Sequence, residues 1–192
     1  EAPHLLIAFK LMDHGAVFNE RLFLAGVAQM MRFGYTTAEE GRASLGQVQV
    51  MAAVAAKGQL PIDVLAYPDV LAYKEAIVKP WLGNTYTNRF RVAGAKLTID
   101  GSPQGKTAWR DRPYYVPPAG QCAHYCGYAA ASPEQILGAV DEAFANHWQI
   151  LTHANGEAAI DALIGAIKEA TKKHGAADRR SVLIHGQFMR ED

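Results

Sequence analysis

The sequence alternates short apolar runs with longer amphipathic stretches along most of its 192 residues. The apolar runs have the length of buried strands, and the stretches between them have the apolar spacing of helices. Because consecutive parallel strands are joined by a helical crossover, this alternation predicts an α/β fold with a parallel sheet. With 49% apolar residues, the chain can also bury a substantial core.

The predicted elements follow the order βαβαβαβαβ after a first helix. We expect helices at residues 18–32, 44–57, 70–79 and 157–173, and strands at 33–39, 60–67, 89–100, 148–153 and 181–185. A further helix is expected after Ser132, which with Pro133 and Gln135 supplies an N-cap, a first-turn proline and a capping box. The stretch 101–131 is rich in proline, glycine and aromatic residues, so we predict a long loop there.

This element order leaves two arrangements of the sheet open. The strands could form a doubly wound open sheet, or they could close as a barrel. A complete eight-unit barrel needs about 250 residues, so a barrel formed by these residues would be incomplete. No linker composition interrupts the chain, and we therefore expect residues 1–192 to form a single fragment with no second domain.

Composition excludes several classes of partner. Nineteen basic residues balance nineteen acidic ones, which predicts no nucleic-acid partner and no attraction to anionic membranes. The longest apolar stretches are too short to span a bilayer, and no targeting segment is visible. Two cysteines are too few for a disulfide scaffold. We therefore expect a cytoplasmic protein.

Two histidines fall at the carboxyl ends of predicted strands. His153 ends the strand at 148–153, and His185 ends the strand at 181–185. Active sites of parallel α/β folds lie at that end of the sheet, and imidazole is a common zinc ligand. A single strand histidine is more often structural, but two in equivalent positions favour a shared metal site.

Lys96 lies within the predicted strand at 89–100, on the same face as Thr98 and Asp100. A buried ammonium must be paired, neutralised or modified. Three functional roles are open: a carbamylated lysine that bridges metals, a Schiff-base amine, or a cation that binds substrate. The structural alternative is an ion pair with Asp100 or Glu39.

Other residues give weaker signals. Gly156 eases a strand-to-helix turn and Glu157 falls in the first helical turn, where a carboxylate is favourable. The loop contains tyrosines that could line a substrate pocket or simply pack the loop onto the fold: Tyr114, Tyr115, Tyr125 and Tyr128. Neither the glycine-rich segment 101–105 nor the Cys122–Cys126 segment has the spacing of a nucleotide-binding or zinc motif.

Four ordered motifs resemble the core of the YtcJ-like branch of the amidohydrolase superfamily, which includes N-substituted formamide deformylases. The resemblance extends from about residue 18 to residue 192. The motifs are Gly34-Tyr-Thr-Thr37, Lys96-Leu-Thr-Ile-Asp-Gly-Ser-Pro-Gln-Gly-Lys-Thr-Ala-Trp109, His153-Ala-Asn-Gly-Glu-Ala-Ala-Ile-Asp161 and Ile184-His-Gly-Gln-Phe-Met-Arg-Glu-Asp192.

The resemblance implies a TIM-type (β/α) barrel, of which this chain would supply about four to five βα units, and hydrolysis of amide-type C–N bonds. It implies that His153 and His185 are metal ligands on the fifth and sixth strands, and that Lys96 on the fourth strand is carbamylated and bridges one or two divalent ions, zinc above all. Gln104, Asn155 and Tyr115 would orient a small-molecule amide. The family's His-x-His pair is absent from the sequence, and Glu157 replaces the usual aspartate.

These observations lead to one main hypothesis and two alternatives. The main hypothesis is a metal-dependent amidohydrolase in which this chain, alone, is inactive. The alternatives are a Schiff-base lyase that uses Lys96, and a non-catalytic barrel fragment. We expect a homo-oligomer, because a partial barrel leaves strand edges and apolar faces for self-association.

Overall fold

The computed structural model describes residues 20–77 and 79–191. The chain forms four α-helices, six strands and one 3₁₀ turn in these residues. The helices are α1 (Glu20–Arg32), α2 (Leu45–Ala56), α3 (Pro133–Ala145) and α4 (Glu157–His174). The strands are β1 (Thr37–Ala43), β2 (Asp63–Pro68), β3 (Phe90–Val92), β4 (Gly94–Thr98), β5 (Gln149–Ala154) and β6 (Val182–His185), and the 3₁₀ turn is Lys74–Ala76.

The strands form two three-stranded sheets, in the orders β1-β2-β3 and β4-β5-β6. The β1/β2, β2/β3 and β5/β6 pairs are parallel, which confirms the predicted α/β class with parallel sheets. The strands described here do not close into a barrel, so the TIM-type barrel and its number of units stay predictions. None of the described helices is long and apolar enough to cross a membrane.

The described chain consists of two compact units, and the boundary between them follows Lys96. In the first unit, α2 packs against β2 and β3. Helix α2 begins at a capping box formed by Ser44 and Gln47, whose side chains each bond the other's backbone N–H. The core of this unit consists of apolar side chains that include Val48, Met51, Val54, Val64, Phe90 and Val92.

In the second unit, α3 and α4 pack against each other and against β5. Helix α3 has the predicted capping box of Ser132 and Gln135 with Pro133 in its first turn. Its core includes Leu97, Ile99, Ile136, Val140, Ile150 and Leu163. This core fixes β5, whose carboxyl end holds one of the predicted site residues.

The predicted helix at 70–79 is wrong. Among the described residues of this stretch (70–77 and 79), only the turn Lys74–Ala76 is helical, and it is of the 3₁₀ type. The Asp69 carboxylate accepts hydrogen bonds from the backbone N–H groups of Leu71 (3.0 Å) and Ala72 (3.1 Å), which stabilises a tight turn directly after β2. Local side-chain bonding thus competes with the helix that the apolar spacing favours.

The single strand predicted at 89–100 is two strands. β3 ends at Val92 and pairs with β2, whereas β4 begins at Gly94 and belongs to the other sheet. Between them, the Ala93 N–H donates to the Ala66 carbonyl oxygen at 2.9 Å. A continuous β-favouring sequence does not reveal this exchange of partners. The predicted start of the first helix at residue 18 lies outside the described residues.

Candidate functional site

His153 and His185 come together at the carboxyl ends of β5 and β6. The strands are parallel and in a register that pairs Ala154 with His185. The two imidazole ring centroids lie 4.6 Å apart, with an angle of 78° between the ring planes. The structure therefore places the two predicted ligands side by side, although they are one residue apart in register.

Backbone conformation ends β6 at its histidine. His185 has a φ of 76°, in the left-handed region that histidine adopts only occasionally, and Gly186 follows with a φ of 59°. The Gly186 N–H then donates to the Ala154 carbonyl oxygen at 3.2 Å. The exposed His185 thus belongs to a tight turn that leaves the strand immediately after it.

The Asp100 carboxylate organises the backbone beside this pair. The residue is 2% exposed. Its oxygens accept hydrogen bonds from the backbone N–H groups of Asn155 (2.9 Å), Gly156 (2.8 Å) and Trp109 (2.9 Å). Hydrogen bonds to an ionised acceptor are the stronger kind, so this one side chain joins the end of β5 to the loop after β4.

A second set of contacts determines the orientation of the His153 ring. Its Nε2 lies 2.8 Å from the Gly101 carbonyl oxygen, to which Asn155 Nδ2 also donates at 2.8 Å. A carbonyl oxygen only accepts, so the bond to Gly101 requires a proton on His153 Nε2, whereas Asn155 Nδ2, 3.2 Å from the same nitrogen, can donate only to a lone pair there.

Asn155 has an unsatisfied side-chain oxygen. The residue is 1% exposed, and its Oδ1 is buried with no hydrogen-bond partner among the described residues. Buried polar atoms normally have a partner, so an orphaned amide oxygen beside two histidines suits a ligand.

Gly156 allows the loop to approach the turn between β5 and α4. A Cβ added at position 156 would overlap the backbone carbonyl of Trp109. The Ala159 N–H donates to that same carbonyl oxygen at 3.4 Å. The requirement for glycine here is therefore steric, because its φ of −77° is accessible to any residue.

Sequence reasoning missed an ion pair between Arg110 and Glu157. Arg110 Nε and Nη2 donate to the two Glu157 oxygens at 3.2 and 3.0 Å, and the side chains are 17% and 6% exposed. Burial raises the pKa of Glu157, but hydrogen bonds from Arg110 outweigh it, so that the pKa is below its usual value. Glu157 thus forms a buried ion pair with Arg110 in addition to placing a negative charge at the start of α4.

Lys96 belongs to the first unit and is 5% exposed. Burial, together with the Arg42 charge, lowers the pKa of Lys96 to about 8, and the charges of Asp69 and Glu39 oppose this shift. Lys96 forms no ion pair with a carboxylate of residues 20–77 or 79–191, and Asp69 pairs instead with Arg42 at 2.8 Å. The proposed structural role as an ion pair therefore has no support in the described residues.

The structure leaves two predicted substrate-binding residues at the surface. Gln104 is exposed, and Tyr115 is fully exposed. By contrast, Tyr114 donates to the Ala108 carbonyl oxygen (3.0 Å) and Tyr125 to that of Lys106 (2.8 Å), so these two tyrosines hold the loop together. The loop-packing alternative is correct for Tyr114 and Tyr125.

The donor set around His153 fits a divalent ion in part. Two imidazoles and one amide oxygen are the nitrogen and oxygen ligands that zinc and similar ions accept. Among the described residues, however, no group of three or more histidine, cysteine, aspartate or glutamate side chains could hold a metal. The pair can therefore supply only part of a coordination sphere.

The role of Gly156 can be tested by a pair of alanine substitutions around α4. Gly156→Ala should lower the free energy of unfolding by about 3 kcal/mol, because the rigid Trp109 backbone cannot move away from the new methyl group. Gly165→Ala, where a Cβ meets open space within the same helix, should raise it by up to about 1 kcal/mol. Urea denaturation measures both, and equal effects would contradict the steric explanation.

Two solved structures resemble this chain in fold. An uncharacterized metal-dependent hydrolase from Pyrococcus horikoshii OT3 aligns with a TM-score of 0.66 and 21% identity, over 84% of this chain and 33% of that protein. An uncharacterized metal-dependent hydrolase from Pyrococcus furiosus aligns with a TM-score of 0.66 and 20% identity, over 84% and 34%. The chain thus spans about a third of the length of these proteins.

The sequence itself identifies the family. No curated protein matches the chain. The family model described as "Amidohydrolase family" matches residues 4–192, which is nearly the whole sequence. Parallel α/β units with two histidines at adjacent strand ends agree with that match, and the chain belongs to the amidohydrolase family.

Proposed function

We propose that this chain contributes to the metal centre of a metal-dependent hydrolase that cleaves amide-type C–N bonds, as in the YtcJ-like branch. The observation that supports this most is the contact between His153 and His185, whose rings lie 4.6 Å apart at neighbouring strand ends. The family match over residues 4–192 adds the reaction class. Both similar folds are those of metal-dependent hydrolases.

His153 and His185 are the residues that would hold a divalent ion, and zinc suits their imidazoles. When bound, such an ion would supply Lewis-acid activation of water and of the scissile carbonyl group. Lys96, as a carbamate, is proposed as a further ligand in the intact enzyme. Once the ammonium has lost a proton, its neutral amine adds to carbon dioxide and releases a second proton, which gives an anionic oxygen donor.

The residues of this chain would bind and orient the amide. The orphaned Asn155 Oδ1 accepts a hydrogen bond, which matches the N–H of a secondary amide or formamide. Asp100 fixes this side chain through the Asn155 backbone N–H. Gln104 and Tyr115 would contact the more distant parts of the substrate from the exposed loop.

A Schiff-base lyase is the second candidate. The observation in its favour is the buried Lys96, since a desolvated lysine is a better nucleophile. Such an enzyme works without metal, and borohydride would trap its carbonyl substrate on Lys96. A non-catalytic, self-associating fragment is the third candidate. A second copy could pair at the outer strands of the described sheets, which are β1 and β3 in one sheet and β4 and β6 in the other.

Metal binding by the chain itself provides the first functional test. We expect calorimetric titration with zinc to give a Kd of about 1 μM or weaker, since two imidazoles fall short of the three or four protein ligands of a zinc site. His153→Ala and His185→Ala should each remove this weak binding, and His147→Ala, at an exposed position after α3, should not. Zinc binding that persists unchanged in both site variants would contradict the proposal.

The proposed carbamate role of Lys96 can be tested in an intact enzyme that contains this sequence. We expect Lys96→Ala to abolish amide hydrolysis, and short carboxylic acids with bicarbonate to restore part of it by occupying the vacated oxygen positions. Steady-state hydrolysis rates, with metal content measured on the same samples, provide the comparison. Full activity of Lys96→Arg would show that no carbamate is needed, because a guanidinium forms none.

A further inference from the structure

We infer that the Arg110–Glu157 ion pair, with the Phe188 ring stacked on its guanidinium, positions the turn that presents His185 to His153. This inference rests on the proposed function only for what the two histidines do. It concerns Arg110, Glu157 and Phe188, which we call the stacked ion pair and which are positioning residues, because they act through the turn that follows His185.

The His185 turn lacks support from its own strand. β6 has four residues, with burial pattern exposed, intermediate, intermediate, exposed. The chain then enters the left-handed region at His185 and Gly186, with φ values of 76° and 59°. A short strand with little burial cannot by itself hold a residue in a sparsely populated, strained backbone conformation. Contacts from outside β6 must therefore fix the turn.

Phe188 supplies the first of these contacts. Its backbone N–H donates to the Asn155 carbonyl oxygen at 3.0 Å, which ties the turn to the end of β5. Its ring lies under the Arg110 guanidinium, with Arg110 Cζ 4.3 Å from the ring centroid. A guanidinium over an aromatic face at this distance is an attractive arrangement, and it is stronger when partly removed from water.

The Glu157 carboxylate fixes the edge of the same guanidinium. The paired nitrogens and oxygens lie 3.2 and 3.0 Å apart, so the interaction is bidentate and sets the plane of the guanidinium as well as its position. Glu157 in turn begins α4, directly after the Gly156 N–H that Asp100 holds. The stacked ion pair therefore connects Phe188 to the rigid turn between β5 and α4. Phe188 lies three residues after His185.

A purely structural role of Arg110 makes a different prediction. The Arg110 backbone N–H donates to the Cys126 carbonyl oxygen at 2.8 Å, so the residue also belongs to the folded loop. If the side chain served only that loop, its replacement would change stability without changing the distance between the histidine rings. The two roles are therefore separated by a measurement on the rings themselves.

The experiment uses the metal-free full chain and conservative variants that preserve folding. Arg110→Lys keeps the positive charge but loses the planar, bidentate contact, and Phe188→Leu keeps an apolar side chain but loses the aromatic face. Arg179→Lys is the matched control, because Arg179 Cζ lies 4.3 Å above the Phe144 ring in the same unit and precedes β6. The readout is the nuclear Overhauser effect between ring protons of His153 and His185.

We expect the ring-to-ring effect to fall at least threefold in Arg110→Lys and in Phe188→Leu and to stay unchanged in Arg179→Lys, while all three variants remain folded by circular dichroism. Unchanged ring contacts in both test variants, or an equal loss in Arg179→Lys, would overturn the inference. The samples contain no metal, so the ring-to-ring measurement can be interpreted independently of the metal proposal. The metal proposal would fail if zinc binding did not depend on either histidine.

Discussion

A buried carboxylate that accepts three backbone N–H groups determines how the rest of the candidate site is built. Asp100 bonds to Trp109, Asn155 and Gly156, and no water is needed to satisfy these donors. Because an unpaired buried amide costs about 1–3 kcal/mol, the loop after β4 and the end of β5 are most stable when they meet around this side chain. The close approach at Gly156 and the orientation of Asn155 follow from that meeting.

The rest of the candidate site is built on these contacts around Asp100. Asn155 Nδ2 and His153 Nε2 both lie 2.8 Å from the Gly101 carbonyl oxygen, which orients the His153 ring. Glu157 then holds Arg110, and His185 completes the pair from β6. These contacts explain how the two histidines are held at the ends of β5 and β6.

Sequence reasoning identified the features that depend on local pattern. The α/β class with parallel strands, the capping box at Ser132 and the strand-end positions of both histidines all follow from spacing and residue type. It missed Asp100 as an acceptor and Arg110 as a partner of Glu157, because these contacts join residues about 50 positions apart (sequence separations of 55 and 47). The prediction of a helix at 70–79 was wrong because the Asp69 carboxylate accepts a hydrogen bond from the Leu71 backbone N–H, and this turn competes with the helix.

Amide hydrogen exchange at the three donors to Asp100 tests this account most directly. The account predicts slow exchange at Trp109, Asn155 and Gly156 in the wild-type chain. In Asp100→Asn, exchange should be at least about tenfold faster at one or more of these donors, since an amide nitrogen replaces one of the two accepting oxygens and accepts nothing. Val140 in α3 should keep its protection. Fast exchange at these donors in the wild type, or unchanged protection in the variant, would contradict the central role of Asp100.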